Sequence, residues 1–446
     1  MKKILIANRG EIALRIIHTC KQMGIETVAV YSDADSCMPF VKEADYSFRI
    51  GESPVNKSYL NMDQLIEIAI REKVDGIHPG YGLLSENSEF ARKVVDNGII
   101  FIGPSPDTIE SMGDKIKART TMHEAGVPIV PGSIRGIKSL EEAQDLANQI
   151  GYPIMLKASG GGGGIGMVRC ENEQALNQHY ESTKARSKAY FGSDEVFIEK
   201  CIDNARHIEV QIFGDQYGNI VHLYERNCSV QRRNQKVIEE AQSPNISSET
   251  RKKMYTAAID AAKAVGYKNA GTVEFIVDEN EHFYFLEMNT RLQVEHPVTE
   301  LLTTLDLVKW QILVARGEKL PLSQNEIEKS GHAIELRIYA EDPKTFFPSP
   351  GMITQLSWGN IEGVRIDAGY HSGLQVTPFY DPMIAKCVMF ASNRTDCIQK
   401  AQEFLDQTII EGIKTNIPFL KNVLQSTNFQ NGDYTTNLVN EMKVNN

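Results

Sequence analysis

The sequence predicts a multidomain chain that opens as α/β and continues as α+β, and three observations carry that prediction. Residues 1–105 alternate strand-like apolar runs with helical segments, the βαβ pattern of an open, mostly parallel sheet. A glycine run, Gly160–Gly164, sits between two short apolar stretches inside a smaller unit spanning roughly residues 130–204. Residues 271–300, and again 331–341, alternate apolar and polar side chains as half-wet strands do. At 446 residues and 41% hydrophobic the chain suits about three domains with ample core.

Lys3–Ala7 reads as the first strand, Glu11–Met23 as a helix, Glu26–Tyr31 as a strand and Met62–Glu72 as a helix; Gly76–His78 and Ile99–Ile102 read as further strands. The turns Asn8–Glu11 and His78–Gly82 fall after strands, where such sheets bind ligands. No Gly-x-Gly-x-x-Gly follows the first strand, so tight turns explain them at least as well as ligand contact. Gly113-Asp-Lys115 should open a helix to about Ala125, with Pro128–Pro131 connecting into the smaller unit. Within it, Tyr152–Lys157 is a strand that delivers a lysine to the glycine run. Glycines permit positive φ and close backbone approach, so their N–H groups can cradle a phosphate beside the Lys157 charge. A mobile flap fits this placement better than a linker, and no Gly-Lys-Ser/Thr makes it a P-loop.

Val196–Ile202 is a strand followed by a connector whose backbone, over residues 199–202, can hydrogen-bond an adenine edge. His207–Ile212 alternates again and sends His207, Glu209 and Gln211 to one face. Residues 225–236 gather Arg226, Arg232, Arg233 and Lys236, which read equally as a solvated face or as an anion pocket. After residue 330, Glu335 and Arg337 share one face of another strand, and Arg394–Gln407 is a helix.

The richest stretch is Phe283–Glu300. Read as an extended strand, it turns Glu287, Asn289, Arg291, Gln293 and Glu295 to one side and Leu286, Met288, Leu292 and Val294 to a core. Upstream, Gly271–Asp278 is a second strand-like run. A hairpin loop of residues 279–282 pairs Asp278 with Phe283 and sets Glu274 opposite Glu287. Directly opposed like charges are destabilising. A cation between them resolves this, and Mg²⁺, which takes oxygen ligands and shares them with phosphates, is the natural candidate. Asn289 would join it, with Arg291 just beyond, where an anion would lie.

The balance of 58 acidic against 47 basic residues argues against a general nucleic-acid surface. Seven scattered cysteines without a Cys-x-x-Cys pair point to a reducing compartment and away from structural zinc. The apolar run at the N-terminus stops at Asn8, too short for a signal peptide, and no stretch is long enough to span a membrane. A cytoplasmic protein is expected.

Taken together, Asn8-Arg-Gly-Glu-Ile-Ala, His78-Pro-Gly-Tyr-Gly, Gly113-Asp-Lys, Lys157-Ala-Ser followed by five glycines, Gln231-Arg-Arg-Asn-Gln-Lys, Glu287–Glu300 and Gly331-His-Ala-Ile-Glu-Leu-Arg resemble the biotin carboxylase family, from residue 1 to about 440. The resemblance implies an N-terminal domain (1–114), an ATP-grasp domain (115–317) with a glycine-rich lid, and a C-terminal domain (318–446). It implies an ATP-dependent ligase that carboxylates biotin through carboxyphosphate, as the first half-reaction of acetyl-CoA carboxylase in fatty acid synthesis. Another acyl-CoA carboxylase, or a biotin-independent ATP-grasp ligase, is the alternative. Carried over by motif, Lys115, Lys157, Gly163, Gly164, Glu199, Lys200, Ile202, His207 and Asn234 would contact ATP. Glu274, Glu287 and Asn289 would hold Mg²⁺ or Mn²⁺, two ions in all. Lys236, Arg291 and the Val294 backbone would bind bicarbonate, Glu295 would be the general base, and Arg337 would steady the biotin ureido oxygen. Expected partners are a biotin carboxyl carrier protein, carboxyltransferase subunits and a second copy of the chain. Ile165 departs from the basic residue many members carry there, Asn234 from a histidine, and His18 and Gln22 from a charged pair used by some members at a dimer interface. Met442-Lys443 has no surrounding hairpin and reads as a frayed tail, which places the biotin on a separate carrier.

Overall fold

A computed structural model describes residues 1–159 and 166–444. The N-terminal sheet is all parallel, in the order β3-β2-β1-β4-β5, from β1 (Lys3–Ile6), β2 (Glu26–Ser32), β3 (Tyr46–Gly51), β4 (Gly76–His78) and β5 (Ile100–Phe101). Helix Gly10–Gln22 packs Ile12, Ile16 and Ile17 inward, and helices Met62–Arg71 and Ser88–Asp96 begin at Asn61 and Asn87, whose side chains cap the first turn. The edge strand β3 and the helix Ser88–Asp96 carry weaker sequence patterns and were not anticipated.

A three-stranded antiparallel sheet, β6 (Ile154–Ala158) between β7 (Met167–Cys170) and β8 (Val196–Lys200), forms the smaller unit with its own apolar core around Leu156, Leu176 and Ile198. The glycines expected to cradle phosphate, Gly163 and Gly164, and also Ile165, lie outside the described residues.

Of the remaining strands, four short ones form two separate pairs, Gly351–Met352 with Gln375–Val376 and Gln355–Ser357 with Ile409–Glu411, and the other eight join one sheet. Its order is β13-β12-β9-β10-β11-β14, then Met383–Ala391 and Val364–Ala368, where β9 is Arg206–Gly214, β10 Ile220–Arg232, β11 Gln235–Ala241, β12 Asn269–Val277, β13 Phe283–Asn289 and β14 His332–Tyr339. It runs without interruption from the central third of the chain into the last. Between β10 and β11 only Arg233 and Asn234 intervene, both at positive φ (49° and 62°), the twist-compatible geometry of a two-residue hairpin.

The hairpin β12–β13 sets Glu274 opposite Glu287, as the sequence suggests, by a different route. The turn is one residue longer, so Val277 rather than Asp278 faces Phe283. A bulge then leaves Leu286 unpaired between the Phe275–Phe285 and Glu274–Glu287 pairs and restores the register. The strand does not continue to Glu295. It ends at Asn289, residues 290–295 form a loop, and helix His296–Thr303 starts with Pro297 in its first turn. Leu286, Met288 and Val294 line a cavity, and of the four Met288 and Leu292 are in the core as expected. The C-terminal segment is also not a frayed tail through Met442, because helix Leu438–Val444 holds it and Met442 packs on the core.

Candidate active site

A cavity of about 730 Å³ lies over the β12–β13 end of the long sheet and is lined on one side by the three-stranded unit. Lys115, Lys157, Glu199, His207, Asn234, Lys236, Glu274, Glu287, Asn289, Arg291, Val294, Glu295 and Arg337 all line it. Lys200 and Ile202 do not. The Lys200 ammonium is instead spent on the Gly151 and Tyr152 carbonyls at 2.9 and 3.0 Å, and the Lys200 backbone N–H on the Pro131 carbonyl, which fixes the connector.

At the centre Lys236 Nζ donates to three carboxylates, Glu209 (2.6 Å), Glu295 (2.7 Å) and Glu274 (2.9 Å). Burial alone would discharge the ammonium, but these three acids outweigh it and hold its proton far more tightly than usual. Glu274 also meets His207 Nε2 at 2.8 Å and accepts from Gln293 at 2.8 Å and from Asn289 at 2.9 Å. Burial raises the Glu274 carboxyl, yet Lys236 and then His207 take it well below the usual range. Glu287 behaves oppositely. Burial first, then the facing Glu274 charge, push it up. One strongly ionised and one frustrated carboxylate, directly opposed beside an amide oxygen, suit a hard divalent cation.

Glu295 accepts from Lys236 and, through its other oxygen, from Arg337 at 3.0 Å. Burial raises this carboxyl too, but Lys236, Arg337 and Arg226 leave it well below the usual range. Arg337 reaches it from β14 and pairs also with Glu239 on β11. Arg291 does not hang free beside the carboxylate pair. Its guanidinium is fixed by Glu86 (2.8 Å), the Asn289 amide oxygen (2.9 Å) and the Leu292 carbonyl (3.2 Å).

The basic run 225–236 is neither a solvated face nor one anion pocket. Arg226 is fully buried, and its five N–H groups are all used, on Glu209, Gln211, Thr299, Thr272 and Gln293. Arg232 pairs with Glu341, Arg233 is exposed, and Arg226 meets the carboxylate cluster at Glu209 whereas Lys236 sits at its centre. Sequence reasoning missed Glu86, which lies in a loop 205 residues from Arg291, and Arg119, which pairs with Glu199 beneath Lys157. No local pattern marks either. The turns Asn8–Glu11 and His78–Gly82 meet one another rather than the cavity: Asn8 donates to the Pro79 and Tyr81 carbonyls, and the Tyr81 hydroxyl to Glu11.

Family models match almost the whole chain: "Biotin carboxylase, N-terminal domain" over residues 1–109, "Carbamoyl-phosphate synthase L chain, ATP binding domain" over 114–323, and "Biotin carboxylase C-terminal domain" over 335–441. Biotin carboxylase 2 of Bacillus subtilis is 56% identical over 439 residues, covering 98% of this chain and 99% of the relative. The crystal structure of biotin carboxylase from Campylobacter jejuni, in a complex with a β,γ-ATP compound, superposes with a TM-score of 0.96 at 46% identity, covering 99% and 98% of the two chains. The biotin carboxylase domain dimer of Hydrogenobacter thermophilus 2-oxoglutarate carboxylase, in complex with MgADP, ADP and bicarbonate, gives 0.95 at 46%, with the same coverage. The fold and its ATP-binding domain define an ATP-dependent ligase. More narrowly, the chain belongs to the biotin carboxylase family. Among the described residues no helix is long and apolar enough to cross a membrane.

Proposed function

We propose that this enzyme carboxylates biotin on a carrier protein with ATP and bicarbonate, as the first half-reaction of an acetyl-CoA carboxylase. The observation that supports the reading is the continuous chain Glu274–Lys236–Glu295–Arg337 in one cavity, read here as one member of a cation-binding pair, an anion-binding lysine, a base and a second cation. In this reading Glu295 takes the bicarbonate proton, and Lys236, Arg291 and the Val294 backbone hold the resulting oxyanions. A bicarbonate oxygen then attacks the γ-phosphorus, ADP leaves, and carboxyphosphate forms. Its breakdown releases CO₂ and phosphate beside biotin, whose N1′ gives up its proton to that phosphate and attacks CO₂. Arg337 balances the enolate charge that develops on the ureido oxygen. Lys115 and Lys157, with the Gly163–Gly164 backbone, position the ATP phosphates, while His207, Asn234 and the 199–202 backbone meet the nucleoside. Glu274, Glu287 and Asn289 fit Mg²⁺ or Mn²⁺, which when bound neutralises phosphate charge. A carrier protein, carboxyltransferase subunits, a homodimer and a cytoplasmic setting complete the proposal, as do domains at 1–114, 115–317 and 318–446. The test is ADP release with and without bicarbonate and free biotin: release should require bicarbonate, and carboxybiotin should form. ATP cleavage indifferent to both would reject the reading.

A further inference from the structure

Glu239 and Glu335 are direct partners across β11 and β14, so their side chains share one face about 5 Å apart at Cβ. Both are fully buried. Among the described residues neither oxygen of Glu335 has a hydrogen-bond partner, and Glu239 is met by Arg337 in an ion pair. The neighbouring cations are committed. Arg337 also serves Glu295, and Lys236 serves three other carboxylates. Lys386, opposite Arg337 on the next strand, donates to the Val294 carbonyl at 3.0 Å and lies 3.2 Å from Glu11. His296, on the helix that packs over β14, is bonded to the Gln293 carbonyl at 2.8 Å. Two ionised carboxylates facing each other in this dry setting, with one shared guanidinium, would be strongly disfavoured.

We propose that Glu239 and Glu335 hold one proton between them and act together as a fixed mount for Arg337. Protonated Glu335 donates to Glu239, and the remaining charge anchors the guanidinium from behind. Acidities agree with this. Burial raises Glu335 well above the usual range, with the Glu239 charge adding to it, and burial against the pull of Arg337 leaves Glu239 at about 7. The mount gives Arg337 a counter-charge that does not depend on Glu295, so it can turn from Glu295 to a substrate oxygen without becoming an unpaired buried cation. This last clause rests on the biotin role proposed for Arg337; the shared proton does not.

The experiment is infrared difference spectroscopy of wild type against Glu335→Gln in H₂O and D₂O at neutral pH, with kinetics of both Glu335→Gln and Glu239→Gln. A deuterium-sensitive carbonyl band of a protonated carboxyl should be present in wild type and missing in Glu335→Gln. Glutamine keeps an N–H donor toward Glu239, so Glu335→Gln should retain carboxylation within about threefold. Glu239→Gln removes the anchoring charge, so the KM for biotin should rise by about tenfold or more while bicarbonate-dependent ADP release persists. Absence of the band from wild type, or its survival in Glu335→Gln, overturns the shared proton. Equal loss of ADP release and carboxylation in a folded Glu239→Gln protein reduces the pair to a structural role and overturns the mount. Should wild type fail to carboxylate biotin at all, the parent reading fails, and the band still decides the proton.

Discussion

Replacing Arg337 by alanine should separate the two halves of the reaction, though less cleanly than its place on β14, 42 residues from Glu295, suggests. Arg337 touches Glu295 at 3.0 Å, so its removal alters the base as well as the enolate site. A unit charge about 4 Å away is worth about 4 kcal/mol at an effective dielectric constant near 20, or roughly three pH units on a carboxyl group. The sign follows from the loss of a cation: the Glu295 pKa moves up. Because Lys236 and Arg226 remain and Glu295 starts well below the usual range, it should still be ionised near neutral pH. Bicarbonate-dependent ADP release should therefore fall by no more than about tenfold at pH 8, with its acid limb displaced upward. Carboxybiotin formation, which loses a contact to a developing oxyanion, should fall by about 10²–10³. The assay measures ADP and carboxybiotin in the same tubes across pH. Equal loss of both products, with an unmoved acid limb, would show that Arg337 merely holds the site together.

Glu287→Gln should abolish turnover in a folded protein, and MgADP should raise the melting temperature of wild type but not of the variant; normal Mg²⁺-dependent activity would reject the cation assignment. The raised Glu287 carboxyl opposes folding of the metal-free protein above its unfolded acidity, near pH 4.3, so wild type without metal should lose stability relative to Glu287→Gln as pH rises from there, measured by urea titration. Lys236→Met leaves Glu209, Glu274 and Glu295 without their common cation and should cost about 3 kcal/mol near neutral pH. That deficit should shrink on acidification, because carboxylates depressed in wild type lose their stabilising contribution as pH falls while those raised in the variant are relieved; a deficit constant from pH 5 to 8 would contradict the charge argument. Arg226→Met, which strands Glu209 and four other acceptors, should cost about 3–5 kcal/mol, read from hydrogen exchange in β9 and β10.

The parallel N-terminal sheet was legible because buried parallel strands and their crossover helices differ sharply in period. The opposition of Glu274 and Glu287 was legible too, but through two offsetting errors, since a five-residue turn and an unpaired Leu286 cancel. A bulge has no signature in alternation, because one extra residue looks like more of the same pattern. For that reason the strand reading was also carried past Asn289, where the chain turns back on itself. Burial was the other blind spot. Charge density alone made the run from Glu225 to Lys236 look like a surface or an anion pocket, whereas Arg226 is internal and Arg232 is paired with Glu341. Glu86 and Arg119 act through partners 80 or more residues away, which no window along the chain can reveal.

The eight-stranded sheet also constrains how the molecule can work. Glu274 and Glu287 sit near one end of its strand order and Arg337 on β14, joined strand to strand by backbone ladders that bulges interrupt only locally. Such a frame cannot be opened between its two ends without tearing those ladders, so the distance from the Glu274–Glu287 pair to the Arg337 guanidinium behaves as a fixed gauge. Substrate entry and product exit must then be accommodated by parts that share no ladder with it, and β6–β8, on a separate sheet, is the part that closes over the cavity.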